Sequence, residues 1–258
     1  MGLSDSFSCY DLRTLGIADV LTCVANSVNH TWCTFRVIGY GFKGLRREYV
    51  FDTSGTFEFV EYVPSGFVQL IPSILKFIMA NSPLVSFTKL SPNHSGRRIC
   101  QISRITPHAV VGQLSVERIC DCFKYRSRQA SCNYCIGADG RIGLCVDEAN
   151  RSWCSSSRDN DQQAVTIECA SDLTELYAMK PEVYSALVAL CADICRRNGK
   201  RKLVWIADLE KALSYEVRPD EMLLTVHRWF ARKSCPGKWL MERLGSLADE
   251  VNGKLGVQ

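Results

Sequence analysis

From Leu84 onward the chain carries hydrophobic positions at two periods, that of a strand and that of a helix. Ile102 to Val111 follows the shorter period. Thr106, His108 and Val110 fall on one side and Ile105, Pro107, Ala109 and Val111 on the other, which predicts a strand. Gly112 opens a turn after it, and Ser115 is placed to cap a short helix through Phe123. Ser131 to Ile136 and Arg141 to Val146 flank Gly137-Ala138-Asp139-Gly140, the pattern of a hairpin on an Asp-Gly turn. Val165 to Cys169 predicts a further strand, with Thr166 and Glu168 opposite Val165 and Ile167. Pro181 to Asn198 predicts a helix, because Pro suits its first turn, Gly199 its stop, and Val183, Leu187, Leu190, Cys191 and Ile194 form one stripe. Strands at Lys202 to Ile206 and Met222 to His227 follow. A closing helix is expected from Trp239 to Val251, burying Leu240, Leu244, Leu247 and Val251. Strands and helices interleaved in this way imply an α/β fold, a mixed central β-sheet flanked by helices.

The first part of the chain reads differently. Trp32 to Tyr40 and Thr56 to Val63 have strand character, yet no chemical motif accompanies them. A boundary is expected near residue 80. Residues 1–80 then form an N-terminal extension or small domain, residues 81–258 carry the main fold, and Met79 reads as an alternative translation start.

Composition narrows the function classes. Hydrophobic residues at 47% and charged residues at 22% exclude a disordered polymer or a fibrous rod. A net charge of +4 over 258 residues is too small an excess to imply nucleic acid. The longest apolar stretch, Phe67 to Ala80, is broken by Gln69, Pro72, Ser73 and Lys76 and falls short of the roughly 20 residues a bilayer needs. Met1-Gly-Leu-Ser-Asp-Ser lacks the basic and apolar regions of a secretory signal, so the 14 cysteines are expected as thiols, each acting as a small apolar residue.

The histidines carry the candidate chemistry. His30 and His94 sit among asparagines and prolines and read as solvated, whereas His108 and His227 come at or near strand ends. Between His227 and Cys235 the chain has room to leave the strand, turn and return a thiolate beside the imidazole, with Pro236 and Gly237 fixing the turn. Zinc takes imidazole nitrogen and thiolate sulfur, and a catalytic site uses three protein ligands and one open place. His108, His227 and Cys235 would supply such a set.

Five segments together resemble one family: Ile105-Thr-Pro-His-Ala-Val-Val-Gly-Gln113, Ser131-Cys-Asn-Tyr-Cys-Ile-Gly-Ala-Asp-Gly140, Asn150-Arg-Ser-Trp-Cys-Ser-Ser-Ser157, Ala164-Val-Thr-Ile-Glu168, and His227 to Gly237. Over residues 82 to 254 the chain is similar to the zinc-dependent N-acetylmuramoyl-L-alanine amidases shared by bacteriophage lysozyme-like amidases and peptidoglycan recognition proteins. The resemblance implies zinc as cofactor, held by His108, His227 and Cys235. It further implies Glu168 as the acidic catalytic residue and Lys233 as the charge that stabilises the transition state. Asn150, Arg151 and Trp153 correspond to the border of the substrate groove in relatives. Many relatives have a His-Tyr pair where Asn133-Tyr134 stands and some a tyrosine near Cys132, so Tyr134 is assigned only to the wall of the groove. The implied substrate is bacterial peptidoglycan, with no nucleic-acid partner and no membrane insertion. A monomeric phage or prophage endolysin is expected, made in the cytoplasm of the producing bacterium and acting on the wall after release.

Rival readings stay in view. Cys120, Cys122, Cys132, Cys135, Cys145 and Cys154 suggest a zinc ribbon. Their spacing is wrong for a closed site, and a strand over Ser131 to Ile136 would send Cys132 and Cys135 to opposite faces. Arg196 to Lys202 reads as a solvated helix end. A thiol peptidase using Cys235 and His227 is a second alternative, and an inactive peptidoglycan-binding protein of the same fold a third. A glycosidase needs two carboxylates facing each other across the sugar. Asp147 and Glu148 are adjacent and read as solvated loop charges.

Overall fold

The computed structural model describes residues 21–29, 32–40, 46–51 and 81–256. The chain divides into two compact units, Met1–Ser73 and Ile74–Gln258. In the first unit β1 (Leu21–Asn29), β2 (Trp32–Tyr40) and β3 (Arg46–Phe51) form an antiparallel sheet. The strand expected at Thr56 to Val63 lies outside the described residues.

The second unit is built on β4 (Val85–Thr88), β6 (Arg104–Ala109), β7 (Tyr134–Ile136), β8 (Ile142–Leu144), β10 (Ala164–Cys169), β11 (Lys202–Val204) and β12 (Glu221–Leu224). Their order in the sheet is β11-β12-β6-β10-β7-β8-β4. Every pairing is parallel except the β7–β8 hairpin, so the expected mixed sheet is present. A second small sheet pairs β5 (His94–Arg97) with β9 (Asn150–Ser152). No helix among the described residues is long and apolar enough to cross a membrane.

Central β6 contains a proline, which a ladder normally rejects because it has no N–H to give. Here β12 pairs with β6 only as far as Ile105, whose carbonyl accepts from Thr225. Pro107 has the same orientation as Ile105 one repeat later, where β12 has already left the ladder, so no bond is lost. The same departure frees the ends of both strands to project side chains.

Helices cover the sheet where the stripes predicted them. The first, α1 (Val116–Asp121), is capped by Ser115, whose side chain accepts from the Arg118 N–H. After α2 (Arg158–Gln163) comes α3 (Pro181–Arg197), which buries Val183, Leu187, Leu190, Cys191 and Ile194 together. The chain then runs through α4 (Leu209–Ser214) to its end. The single helix expected from Trp239 to Val251 is instead two, α5 (Lys238–Met241) and α6 (Leu244–Leu255). Arg243 breaks the ladder. Its N–H bonds the Leu240 carbonyl, while its guanidinium takes the Trp239 carbonyl at 3.0 Å and stacks 4.2 Å from the Trp239 ring.

Glu148 is the clearest departure from the sequence reading. It is not a solvated charge but is 2% exposed. Arg197 grips its carboxylate from both guanidinium nitrogens at 3.0 and 2.7 Å, the Asn198 amide donates at 2.9 Å, and the Tyr134 hydroxyl donates at 2.7 Å. A buried carboxylate needs such partners, since leaving water without them costs several kcal/mol. This network joins the end of α3 to the β8–β9 connection. Nearby, the Asn133 side chain does the work of a missing strand, donating to the carbonyls of Val146, Asp147 and Asn150 and accepting from Arg98. Removing Glu148 takes from the buried Arg197 its doubly bonded carboxylate partner, while the ion pair to Asp193 stays. We expect Glu148→Ala to lower the unfolding free energy by about 3 kcal/mol, the low end for breaking a buried pair. Denaturant titration measures it, and a loss below about 1 kcal/mol would show the network to be dispensable.

Candidate active site

Three adjacent parallel strands deliver the site. Parallel pairing of β6 with β10 sets Thr106 opposite Thr166 and His108 opposite Glu168. Because side chains alternate, each pair shares one face. The β12 strand leads to Thr225 and then, past Val226, to His227, which opens a short 3-10 turn (His227–Trp229). The Thr106 and Thr225 hydroxyls share a 2.7 Å hydrogen bond, and Asn160 of α2 bonds both, at 3.0 and 3.1 Å. All three residues are fully buried. This knot lies one repeat behind the two histidines and holds their strands in register.

The loop from His227 returns Cys235 to the same place, as its sequence predicted. Arg228 closes it twice, its backbone N–H bonding the Cys235 carbonyl at 3.2 Å and its guanidinium the Ser234 carbonyl at 2.6 Å. Gly237 is required there. Its φ is +89°, and a Cβ would meet the Tyr177 ring at 2.7 Å and the Leu176 carbonyl at 2.8 Å. Trp229 stacks on Trp205 at 5.3 Å, which braces the turn from the other side.

His108, His227 and Cys235 place one donor atom each within 4.8 Å of one another. The Cys235 sulfur is 3.3 Å from His108 Nδ1, and the two imidazole rings are 5.0 Å apart. His108 is buried, and burial, reinforced by the nearby His227, pushes its pKa down to about 3, so the ring is neutral. Burial lowers His227 as well, with the charge of Lys233 adding to it. Lys233 itself is exposed at the rim. His108 Nε2 and Glu168 Oε2 are both buried without a hydrogen-bond partner. Burial raises the Glu168 carboxyl to about 7, moderated by the Cys154 thiol, which donates to Oε1 at 3.8 Å. Unsatisfied buried polar atoms are rare in folded proteins. With the Cys235 sulfur facing its Nδ1, His108 joins His227 and Cys235 in a donor set suited to zinc, and the unpartnered Glu168 oxygen stands on the register partner of His108.

Sequence reasoning missed two residues at this place. Cys154 forms a second donor group with His108 and Glu168. Ser156, at a φ of +63°, shares a 2.9 Å hydrogen bond with His227 Nε2. Asp161 holds that loop by accepting from the N–H groups of Cys154 and Ser155. The available signal was the serine run before α2, where Ser157 caps the helix and accepts from the Asn160 N–H.

The expected groove residues divide. Asn150 and Arg151 lie on β9, and Trp153 follows it. Arg151 and the Trp153 indole both donate to the Ser95 hydroxyl of the β5–β9 sheet, Trp153 at 2.7 Å. They lead directly into the Cys154–Ser156 loop. Tyr134 does not reach a groove wall, since it is fully buried and its hydroxyl is engaged by Glu148 and by the Ser82 N–H.

Among known proteins, a family model described as N-acetylmuramoyl-L-alanine amidase matches residues 98–238. No curated protein sequence matches. Among solved structures, PlyL is 13% identical, with 64% of this chain and 95% of that one covered at a TM-score of 0.46. The endolysin N-acetylmuramoyl-L-alanine amidase LysCS from Clostridium intestinale URNW is 16% identical over 69% and 99% of the two chains, with a TM-score of 0.41. A selenomethionine derivative of AmpD is 18% identical over 63% and 93%, with a TM-score of 0.46. The family match spans more than half of the 258 residues and includes His108, Glu168, His227 and Cys235, and the chain therefore belongs to the N-acetylmuramoyl-L-alanine amidase family and is a peptidoglycan amidase.

Proposed function

We propose that this amidase is zinc-dependent, that His108, His227 and Cys235 hold the ion, and that Glu168 and Lys233 carry the proton transfer and charge stabilisation. The observation that carries the reading is the convergence of two imidazoles and a thiol within 4.8 Å, beside a half-buried carboxylate with one buried, unpartnered oxygen. When bound, zinc would supply Lewis acidity, polarising the amide carbonyl and making water acidic enough to attack near neutral pH.

The chain's own groups do the rest. Glu168, opposite His108 in the sheet, accepts a proton from the attacking water and returns it to the departing amine of L-alanine. Lys233 sits on the exposed side of the His227–Cys235 loop and offers positive charge where the oxyanion develops on the former carbonyl. Ser156 orients the His227 ring through Nε2. Asn150, Arg151 and Trp153 extend the surface next to the Cys154–Ser156 loop, where glycan or stem peptide would lie. The lytic role of a phage or prophage endolysin belongs to the same proposal and rests on the sequence resemblance. A metal held by His108, Cys154 and Glu168 is the second reading, favoured by the proximity of those three donors. In it Glu168 would be a ligand and not a proton carrier.

Digestion of purified walls tests the proposal. New L-alanine amino termini should appear without new reducing sugar ends, a strong chelator should abolish their release, and added zinc should restore it. Full activity after chelation would refute the zinc reading, and reducing ends without alanine termini would refute the bond assignment. Glu168→Gln should keep the ion at this site and cut turnover by ~10² or more, the contribution of a positioned acid-base group. Loss of the ion in that variant would support the second reading.

A further inference from the structure

One strand along from Glu168, the same sheet face carries a cluster of sulfur that the amidase reaction does not use. Cys135 of β7 is the register partner of Glu168, Cys145 follows β8, and Cys120 descends from α1 above them. The Cys120 sulfur lies 3.5 Å from that of Cys135 and 3.2 Å from that of Cys145, and all three sulfurs are within 4.8 Å of one another. Each of these residues is 1% exposed or less. Cys132 is also fully buried, but its sulfur is not part of the group within 4.8 Å. The sequence reading dismissed these cysteines as a site because no knuckle spacing joins them. The fold assembles them from a helix and a hairpin instead.

Packing alone does not account for the arrangement. Thiols serving as small apolar residues gain most at ordinary contact distance, about 3.5–4.0 Å even between smaller carbon atoms, whereas one sulfur pair here is closer. Gly143 lies between Cys135 and Cys145. A Cβ there would meet the Val116 side chain at 2.4 Å, the Cys135 sulfur at 2.8 Å and the Cys120 sulfur at 3.3 Å. Glycine weakens a strand interior and marks a place where something else must fit closely. Thiolates around zinc at ~2.3 Å would have sulfurs about 3.8 Å apart, close to the spacing that Cys120, Cys135 and Cys145 already show. Water is excluded, and thiolate sulfur selects zinc or copper(I) over harder ions.

We propose that Cys120, Cys135 and Cys145 form a second, structural zinc site that ties α1 to the β7–β8 hairpin. Loading it releases the thiol protons to solvent as zinc–sulfur bonds form. The three residues are buried, so the role of the ion is to hold the hairpin that carries Cys135 beside Glu168.

The test uses the full chain purified under reducing conditions, with zinc counted per chain and cobalt(II) used as a spectroscopic probe. The wild-type protein should hold about two zinc ions. A His108→Ala/His227→Ala variant should keep one, and on cobalt exchange should show thiolate-to-cobalt charge-transfer absorption. Cys120→Ala/Cys145→Ala should lose one ion while the site at His108 stays filled. No ion and no such absorption in the histidine variant would overturn the proposal. So would an unchanged ion count in the cysteine variant, or recovery of the cluster as a disulfide with no metal bound. One ion in the wild-type protein that the histidine variant retains would count against zinc at His108 and not against this site.

Discussion

The in-register parallel pairing of β6 with its two neighbours is the constraint from which the site follows. Side chains alternate along a strand, so once Thr106 meets Thr166 and Thr225 on one face, His108, Glu168 and His227 must emerge at the next repeat. A slip of one residue would turn all three to the opposite face. The hydroxyl and amide knot of Thr106, Thr225 and Asn160 opposes that slip, because any other register leaves buried polar groups without partners. Chemistry then collects at the carboxyl ends of the strands, where open α/β sheets place their ligands.

Burial gives these residues their properties. The same enclosure that makes the His108 ring neutral raises the Glu168 carboxyl, and it leaves one polar atom of each without a partner. Two other buried charged groups are fully engaged. Glu148 has Arg197, Asn198 and Tyr134, and Arg98 donates to the carbonyls of Glu148, Asp161 and Gln162 and to Asn133.

Much of this was legible in the sequence because it rests on local periodicity. The strand around His108, the cap at Ser115, the Pro181 to Gly199 helix and the return of Cys235 toward His227 each follow from patterns within a short window. What escaped depends on partners distant in the chain. Glu148 reads as a loop charge until α3 brings Arg197 to it, and Tyr134 reads as a groove residue until Glu148 claims its hydroxyl. Arg243 ends a helix through its own side chain, which periodicity does not register. Cys120, Cys135 and Cys145 share no motif spacing, because a helix laid across a hairpin brings them together.

The central claim is that the ion used in catalysis sits among His108, His227 and Cys235 with Glu168 left free to move protons. Anomalous diffraction at the zinc edge from crystals of the full chain tests it directly. The account predicts a peak bonded to His108, His227 and Cys235, with both Glu168 oxygens outside bonding distance. A peak shared by His108, Cys154 and Glu168, with Cys235 unbound, would contradict it.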